Sequence, residues 1–590
     1  MSDIVVSIEN LSCRFSPNGR KVLEDVSLTV REGEFVILTG PSGSGKTTLV
    51  SCIKGIVPQL VGGIVEGDIQ VCGLDPRTES PATLAERVGM VFQDPESQLC
   101  NLYIRDELSF GLENLRYPAP VIEERVETAF RFLGLSATDQ RLVYEASGGQ
   151  KQRIAIGAVL TMEPGILVLD DPTANLDPKS ATEVYTAIKD LHDQGRTIIL
   201  IAHYLDDALS YADRLVVLNG GRKIIDDTPD RALQQYGLDL SASYGVRIPQ
   251  VTDLALRLVD VVAWERIPLS AEQFYAGGLE KLGSIVRQAA VVQSQSDGAS
   301  RTDRPLVEGK NVSFAYPNGL KAVRGVTFRL NTGERLAIAG NNGSGKTTLA
   351  KLMLGLLVPT GGALTTCGME VAKVRTASIT LKVGYVFQYP EHQFIKENVF
   401  DEVAYGMRVA GLDEATVKQR TTEMLAAFGL SGLENRHPLT LSSGEKRRLS
   451  VITMLVVKPE MLILDEPTFG QDPANATRLM DLVFADIKAD VNMTPVVITH
   501  DMEIIAQYCD RVLVMSNAQV MYDGTPADLF LRRPEVLAAS ALRPVFVAEL
   551  ANRLADQGCS LPGNIITNVQ FVKWMSSIAG AKAVGRVRTL

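Results

Sequence analysis

Apolar residues along this chain gather in short runs that end abruptly in polar or glycine-rich sequence. Phe35 to Thr39 is one such run, and it leads into the turn Gly40-Pro-Ser-Gly-Ser-Gly-Lys46. Ile166 to Leu169 and Thr197 to Ile201 end in polar residues in the same way. An unbroken apolar run of this length, bounded by turn residues, predicts a strand buried on both faces. Thr47 to Lys54, directly after the glycine-rich turn, predicts a helix. The class is therefore α/β, and ligands of open α/β sheets sit at the carboxyl ends of their strands.

The pattern occurs twice. Gly40-Pro-Ser-Gly-Ser-Gly-Lys-Thr-Thr48 returns as Gly340-Asn-Asn-Gly-Ser-Gly-Lys-Thr-Thr348, with the lysines 300 residues apart. Val91-Phe-Gln93 returns as Val386-Phe-Gln388, and Leu169-Asp-Asp-Pro-Thr173 as Leu464-Asp-Glu-Pro-Thr468, both at a spacing of 295. Ile201-Ala-His203 returns as Ile498-Thr-His500. Four blocks in one order at nearly one spacing mean two copies of one domain. Val251 to Leu258 also resembles Val547 to Leu554, each spaced like a short amphipathic helix, so each copy carries a C-terminal appendage. The expected division is a first domain over 1–237, its extension over 238–292, a Ser-rich flexible linker over 293–305, a second domain over 306–533 and its extension over 534–590.

Composition narrows the function. Of 590 residues, 45% are hydrophobic and 22% charged, which excludes disorder as the main state. A net charge of −10 argues against a broad grip on nucleic-acid phosphates. No run approaches the ~20 apolar residues of a membrane-spanning helix, and the first residues lack a basic-then-apolar leader. The seven cysteines are scattered without a CxxC pair, as expected of free thiols in a reducing cytoplasm rather than a zinc site or disulfide framework.

The glycine-rich turns match G-x-x-x-x-G-K-[ST]. Their glycines let backbone N–H groups face phosphate oxygens, and the following helix aims its positive end at the same place. The candidate phosphate-binding residues are Gly40, Ser42, Gly43, Ser44, Gly45, Lys46, Thr47 and Thr48 in the first copy. Those of the second are Gly340, Asn342, Gly343, Ser344, Gly345, Lys346, Thr347 and Thr348. The lysines reach β and γ phosphates, and Thr47 and Thr347 offer hydroxyls to Mg²⁺. Asp170 and Asp465, ending apolar strands, are the carboxylates that hold the same ion through water.

Ala146-Ser-Gly-Gly-Gln150 and Leu441-Ser-Ser-Gly-Glu445 each precede a basic helix start. They resemble the LSGGQ signature of ATP-binding-cassette (ABC) ATPases, whose order of motifs both copies follow. The resemblance implies two tandem P-loop ABC domains, each with a helical signature subdomain, binding ATP and Mg²⁺. It implies that the signature residues Ser147, Gly149 and Gln150, or Ser442 and Gly444, cap the γ-phosphate of ATP held by the opposite copy. It further implies general bases at Glu466 and Asp171, switch histidines at His203 and His500, and Q-loop glutamines Gln93 and Gln388 that sense the γ-phosphate and join the metal ligands. Asp177 and Asp472 fit the D-loop, and Phe15 and Tyr316 the adenine-stacking position.

The two ATP sites are not expected to be equal. Asp171 is one methylene shorter than the usual Glu, and the signature serving that site carries Ser443 and Glu445 in place of Gly and Gln. Glu445 would set a negative charge near phosphate. Hydrolysis is therefore expected mainly where Glu466 meets the intact Ser147-Gly-Gly-Gln150.

Gln93-Asp-Pro-Glu-Ser-Gln98 pairs with Gln388-Tyr-Pro-Glu-His-Gln393, and Asp106-Glu-Leu-Ser-Phe-Gly111 with Asp401-Glu-Val-Ala-Tyr-Gly406. This F-Q-x-P-E-x-Q and D-E-x-x-(aromatic)-G pairing resembles the ATPase subunits of energy-coupling factor (ECF) importers for vitamins, vitamin precursors or transition-metal ions. It implies a peripheral protein on the cytoplasmic face of the membrane. Its partners would be a transmembrane coupling protein and a small membrane substrate-binding protein, with no nucleic acid and no metal cluster. Asp94, Glu96, Asp106, Glu391 and Asp401 could receive basic coupling helices. The rival class is a soluble tandem ABC ATPase acting on ribosomes, whose linker would be long, charged and helical.

Overall fold

The computed structural model describes residues 3–136, 141–173, 176–205, 208–288, 305–471, 473–489 and 493–578. The linker expected at 293–305 lies outside them except for Pro305, which opens the strand Pro305–Ala315. The chain divides into two compact units, the first built mainly from residues up to Leu279 and the second mainly from Glu280 onward.

Within the first unit a six-stranded sheet runs, edge to edge, Val88–Val91, Ile166–Asp170, Thr197–Ile201, Phe35–Thr39, Arg214–Asn219 and Arg222–Asp227. All its pairings are parallel except the last. The three apolar runs of the sequence form its central strands, and every residue in them is buried. The second unit repeats this order with Val383–Val386, Met461–Asp465, Thr494–Ile498, Leu336–Ala339, Arg511–Ser516 and Gln519–Gly524. A smaller antiparallel sheet accompanies each, built on the long strands Ile4–Arg14 and Pro305–Ala315.

The helical part of the first unit packs Ile104–Asn114, Ala119–Leu133 and Gly148–Leu160 around Leu108, Phe130 and Ile154. Toward the end of each copy the related stretches fall in the helices Gln250–Arg257 and Phe546–Asp556. Val251, Leu254, Ala255 and Leu258 are buried, as are Val547, Leu550, Ala551 and Leu554. No described helix is long and apolar enough to cross a membrane.

Candidate functional site

In each unit the carboxyl ends of three adjacent central strands deliver the candidate residues to one place. The strand Phe35–Thr39 delivers the turn 40–45 and the helix Lys46–Ile53, one residue earlier than the sequence predicts. Its neighbour Thr197–Ile201 delivers His203, and Ile166–Asp170 ends at Asp170 with Asp171 next.

The turn needs its glycines. Gly40 and Gly340 have φ of 142° and 145°, and a Cβ there would stand 2.0 and 2.2 Å from the carbonyls of Leu218 and Met515. Gly43 and Gly343 also have positive φ, but open space surrounds them. Helices starting at Lys46 and Lys346 have no side-chain cap, so their first N–H groups stay available to an anion. The ammonium of Lys46 donates to the carbonyls of Gly40 (2.8 Å) and Pro41 (2.9 Å), and that of Lys346 to Gly340 (2.8 Å) and Asn341 (2.9 Å).

These residues fit a nucleoside triphosphate and a divalent cation. The Ser344 hydroxyl and the Asn341 Oδ1 are buried with no partner, which is costly unless a ligand completes them. Thr47 Oγ1 donates to Asp170 Oδ2 at 3.0 Å, so a hydroxyl and a carboxylate already converge as hard oxygen donors of the kind Mg²⁺ takes. Burial raises the Asp170 and Asp465 pKa values, opposed by the Thr47 and Tyr385 hydroxyls and by the lysines. Gln93 is exposed and Gln388 half-buried at the entrance of the following loop.

The two copies part company at the next residue. Asp171 and Glu466 both sit at φ 46°, and their N–H groups donate to the carbonyls of Ile201 and Ile498, each at 2.9 Å. A left-handed backbone at a non-glycine residue costs energy and marks a site held by its surroundings. From this shared posture the carboxylates reach different partners. Glu466 Oε1 accepts from His500 Nδ1 at 2.9 Å. The backbone N–H of His203 favours the charged form of Asp171. Burial and the neighbouring Asp170 push the Asp171 pKa up to about 7. Burial alone would lower the His500 pKa, but the charge and hydrogen bond of Glu466 outweigh it and raise it.

The signature serines begin separate helices, Gly148–Leu160 and Ser443–Leu455. Ser147 accepts from Gln150 N, and Gln150 Oε1 accepts from Ser147 N at 2.9 Å. Gly149 lies so close to Ser180 that a Cβ would stand 2.7 Å from its Cβ. In the second copy Glu445 folds back in the same capping box, but its Oε2 accepts from both Ser442 N and Ser442 Oγ, each at 2.8 Å. Glu445 thus engages both the N–H and the hydroxyl of Ser442. Ser443 donates to the carbonyl of Gly470 at 3.1 Å.

Other expected residues lie as follows. Asp177 caps the helix Pro178–Asp193 through Ser180 N at 3.0 Å, and Asp472 lies outside the described residues. Phe15 is 49% exposed, free to stack, whereas the Tyr316 hydroxyl bonds Thr348 Oγ1 at 3.1 Å. Glu96, Glu391 and Asp401, expected as a docking face, are already ion-paired with Lys151, Lys446 and Arg408. Asp94 caps a short 3₁₀ turn. The motif glutamates Glu107 and Glu402 are buried and hold the loops before them, Glu402 by accepting from Ile395 N and Lys396 N.

Two residues at the second site escape sequence reasoning. The Tyr385 hydroxyl donates to Asp465 Oδ2 at 2.6 Å, where the first copy has Met90. Arg447 is buried where the first copy has Gln152. Comparing the copies position by position, VGMV against VGYV and KQR against KRR, would have exposed both.

Two tandem cassettes with this strand order, phosphate turn and signature helix define a nucleotide-binding chain. Residues 23–174 and 323–469 each match the ABC transporter family, and the chain belongs to it, with two fused ABC domains. A Methanosarcina mazei protein provisionally named an ABC transporter ATP-binding protein is 36% identical over 568 residues, which cover 95% of this chain and 96% of that protein. Bacillus subtilis YkoD, provisionally named an HMP/thiamine import ATP-binding protein, is 34% identical over 533 residues, covering 90% and 93%. The solved structure of cbiO1 from Clostridium perfringens, part of the ABC transporter complex cbiONQ, is 30% identical. It covers 42% of this chain and 99% of its own at a TM-score of 0.37, too low to support a structural argument. ABC domains bind ATP, and family membership implies ATPase activity.

Proposed function

We propose that this chain is the ATP-hydrolysing subunit of an ECF-type importer for a vitamin, a vitamin precursor or a transition-metal ion. The paired F-Q-x-P-E-x-Q and D-E-x-x-(aromatic)-G blocks and the thiamine-related name of the Bacillus relative support this reading. It works at the cytoplasmic face of the membrane, bound to a transmembrane coupling protein and a small substrate-binding membrane protein.

The observation that carries the mechanism is the Glu466–His500 pair at the carboxyl end of its strand. Glu466 takes the proton of the attacking water while the water oxygen bonds the γ-phosphorus and the bond to the bridging oxygen breaks, releasing ADP and phosphate. His500 holds that carboxylate in place, and the turn 340–345 and Lys346 hold the phosphates. Mg²⁺ on Thr347, Asp465 and Gln388, when bound, neutralises charge on the β and γ phosphates. The equivalent set in the first copy is Thr47, Asp170 and Gln93. With Asp171 stopping at a backbone N–H, the first site mainly binds ATP.

Purification of the tagged chain from its own membranes in mild detergent, with mass spectrometry of what accompanies it, tests the transport reading. Small, very hydrophobic partners are expected. Ribosomal proteins in their place would overturn it.

A further inference from the structure

Arg447 is the largest fully buried side chain that the proposed chemistry leaves unused. It lies on the signature helix Ser443–Leu455, yet none of its described hydrogen bonds goes to a side chain. Nη1 donates to the carbonyl of Phe387 at 2.7 Å, and Nη2 to the carbonyls of Gln388 and, at 3.3 Å, Phe469. Phe387 and Gln388 form the Q-loop entrance, and Phe469 lies three residues after Glu466. One guanidinium thus joins the signature helix, the Q-loop and the segment leading from the proposed base.

Three further bonds, made by two side chains, fasten the same loop to the same helix. Lys446 Nζ meets Glu391 Oε1 at 2.9 Å. Gln393 Nε2 donates to Ser450 O at 2.8 Å and Thr453 Oγ1 at 2.6 Å. Among the described residues the first copy keeps the Lys151–Glu96 pair. Its Gln152, among the described residues, reaches only the Phe92 carbonyl, at 3.5 Å. Its Gln98 turns inward, accepting from Phe92 N at 2.9 Å and donating to Met90 O, so that this glutamine bonds the loop and its strand where Gln393 bonds the helix.

Physics separates the two arrangements. A charged fork donates short, strong bonds to several carbonyls at once, whereas an amide brings two neutral N–H groups. Burying the charge is expensive. Burial pulls the Arg447 pKa down to about 10, with Glu391, Asp465 and Glu466 opposing, so the group stays charged at neutral pH.

Resting on the ATPase reading above, we propose that Arg447 is a positioning residue that makes the second copy's Q-loop, signature helix and post-Glu466 segment move as one body, and that the first copy, with Gln152, lacks this coupling.

The test installs the first copy's residue, Arg447→Gln, in the full chain, beside Arg447→Lys and the reciprocal Gln152→Arg. Hydrogen exchange at 387–393 and 469–471 is measured first, because it needs no ATP turnover. Arg447→Gln is expected to speed exchange there by about tenfold with the rest of the unit unchanged, and Arg447→Lys to restore part of the protection. In steady state, kcat is expected to fall roughly tenfold while KM for ATP stays within about twofold. Gln152→Arg is expected to leave kcat within about twofold. Unchanged exchange overturns the proposal, as does faster exchange with kcat intact. A fall in thermal stability with no change in either readout assigns Arg447 a packing role and overturns it too. A wild-type chain that does not hydrolyse ATP defeats the functional reading instead, and the exchange result then judges the coupling alone.

Discussion

The two copies present nearly the same backbone at their nucleotide sites and differ in what hangs from it. Asp171 and Glu466 share φ to the degree and donate to equivalent carbonyls, yet the Glu466 carboxylate accepts from an imidazole while a backbone N–H favours the charged form of Asp171. Asp465 receives a tyrosine hydroxyl where Asp170 faces a methionine position. Duplication kept the scaffold, because strand order and left-handed turns tolerate little change. A few side-chain replacements were enough to give the equivalent carboxylates different partners. The comparison therefore rests on reach and hydrogen bonding, both of which single substitutions can alter.

The largest expected effect comes from the bases. Glu466→Gln should lower ATPase activity by roughly 100-fold or more, the scale of a lost general base, while Asp171→Asn should leave it within about twofold. Steady-state phosphate release measures both. Equal losses would mean that Asp171 works as a base despite its shorter reach, and the asymmetry would fall.

Next in size is a packing difference between the signature turns. A Cβ on Gly149 would press into Ser180 at 2.7 Å, whereas on Gly444 it would meet the flexible end of Asn475 at 3.4 Å. Gly149→Ala should cost about 1–3 kcal/mol through overpacking, against about 0.5 kcal/mol or less for Gly444→Ala. Thermal unfolding reads the contrast. A Gly444→Ala loss as large as that of Gly149→Ala would show that backbone freedom, not contact with the neighbouring helix, fixes the glycine in both.

Much of this was legible in the sequence, for identifiable reasons. The central strands announced themselves because parallel strands buried on both faces must be apolar throughout, as Ile166–Asp170 and Thr197–Ile201 are up to their ends. The phosphate turn was legible because only glycine tolerates the contact of Gly40 with the Leu218 carbonyl. Partnerships across the fold were not. The ion pairs of Glu96 and Glu391 join residues 55 positions apart, a spacing that leaves no local pattern. The capping box of Glu445 was not legible either, because a capping carboxylate and a free acid share the same letters.

A smaller effect should follow from Tyr385. Its hydroxyl fixes the orientation of the Asp465 carboxylate at 2.6 Å, and burial together with that carboxylate raises its own pKa. Tyr385→Phe removes one charge-assisted bond while Thr347 still contacts Asp465. Losing about 1 kcal/mol of positioning should slow ATP turnover by roughly fivefold. No change in rate would reduce the tyrosine to a packing residue and bring Asp170 and Asp465 closer to equivalence.

The smallest expected effect tests the altered signature. Glu445 accepts the Ser442 hydroxyl proton and its N–H together, so the hydroxyl cannot donate to a phosphate while the bond lasts. In the first copy the Gln150 amide oxygen takes the Ser147 N–H, and among the described bonds the Ser147 hydroxyl only accepts. Glu445→Gln should therefore keep the helix cap, release the serine proton and remove a negative charge from an anion site. If this signature serves the first P-loop, ATP should bind there about threefold more tightly, a gain of well under 1 kcal/mol. A fluorescent ATP analogue titrated into a chain carrying Lys346→Ala reads the first P-loop with the second one weakened. Unchanged binding would mean that the serine hydroxyl is not what the first site lacks, and Ser443, tied to the Gly470 carbonyl, would be the next residue to restore to glycine.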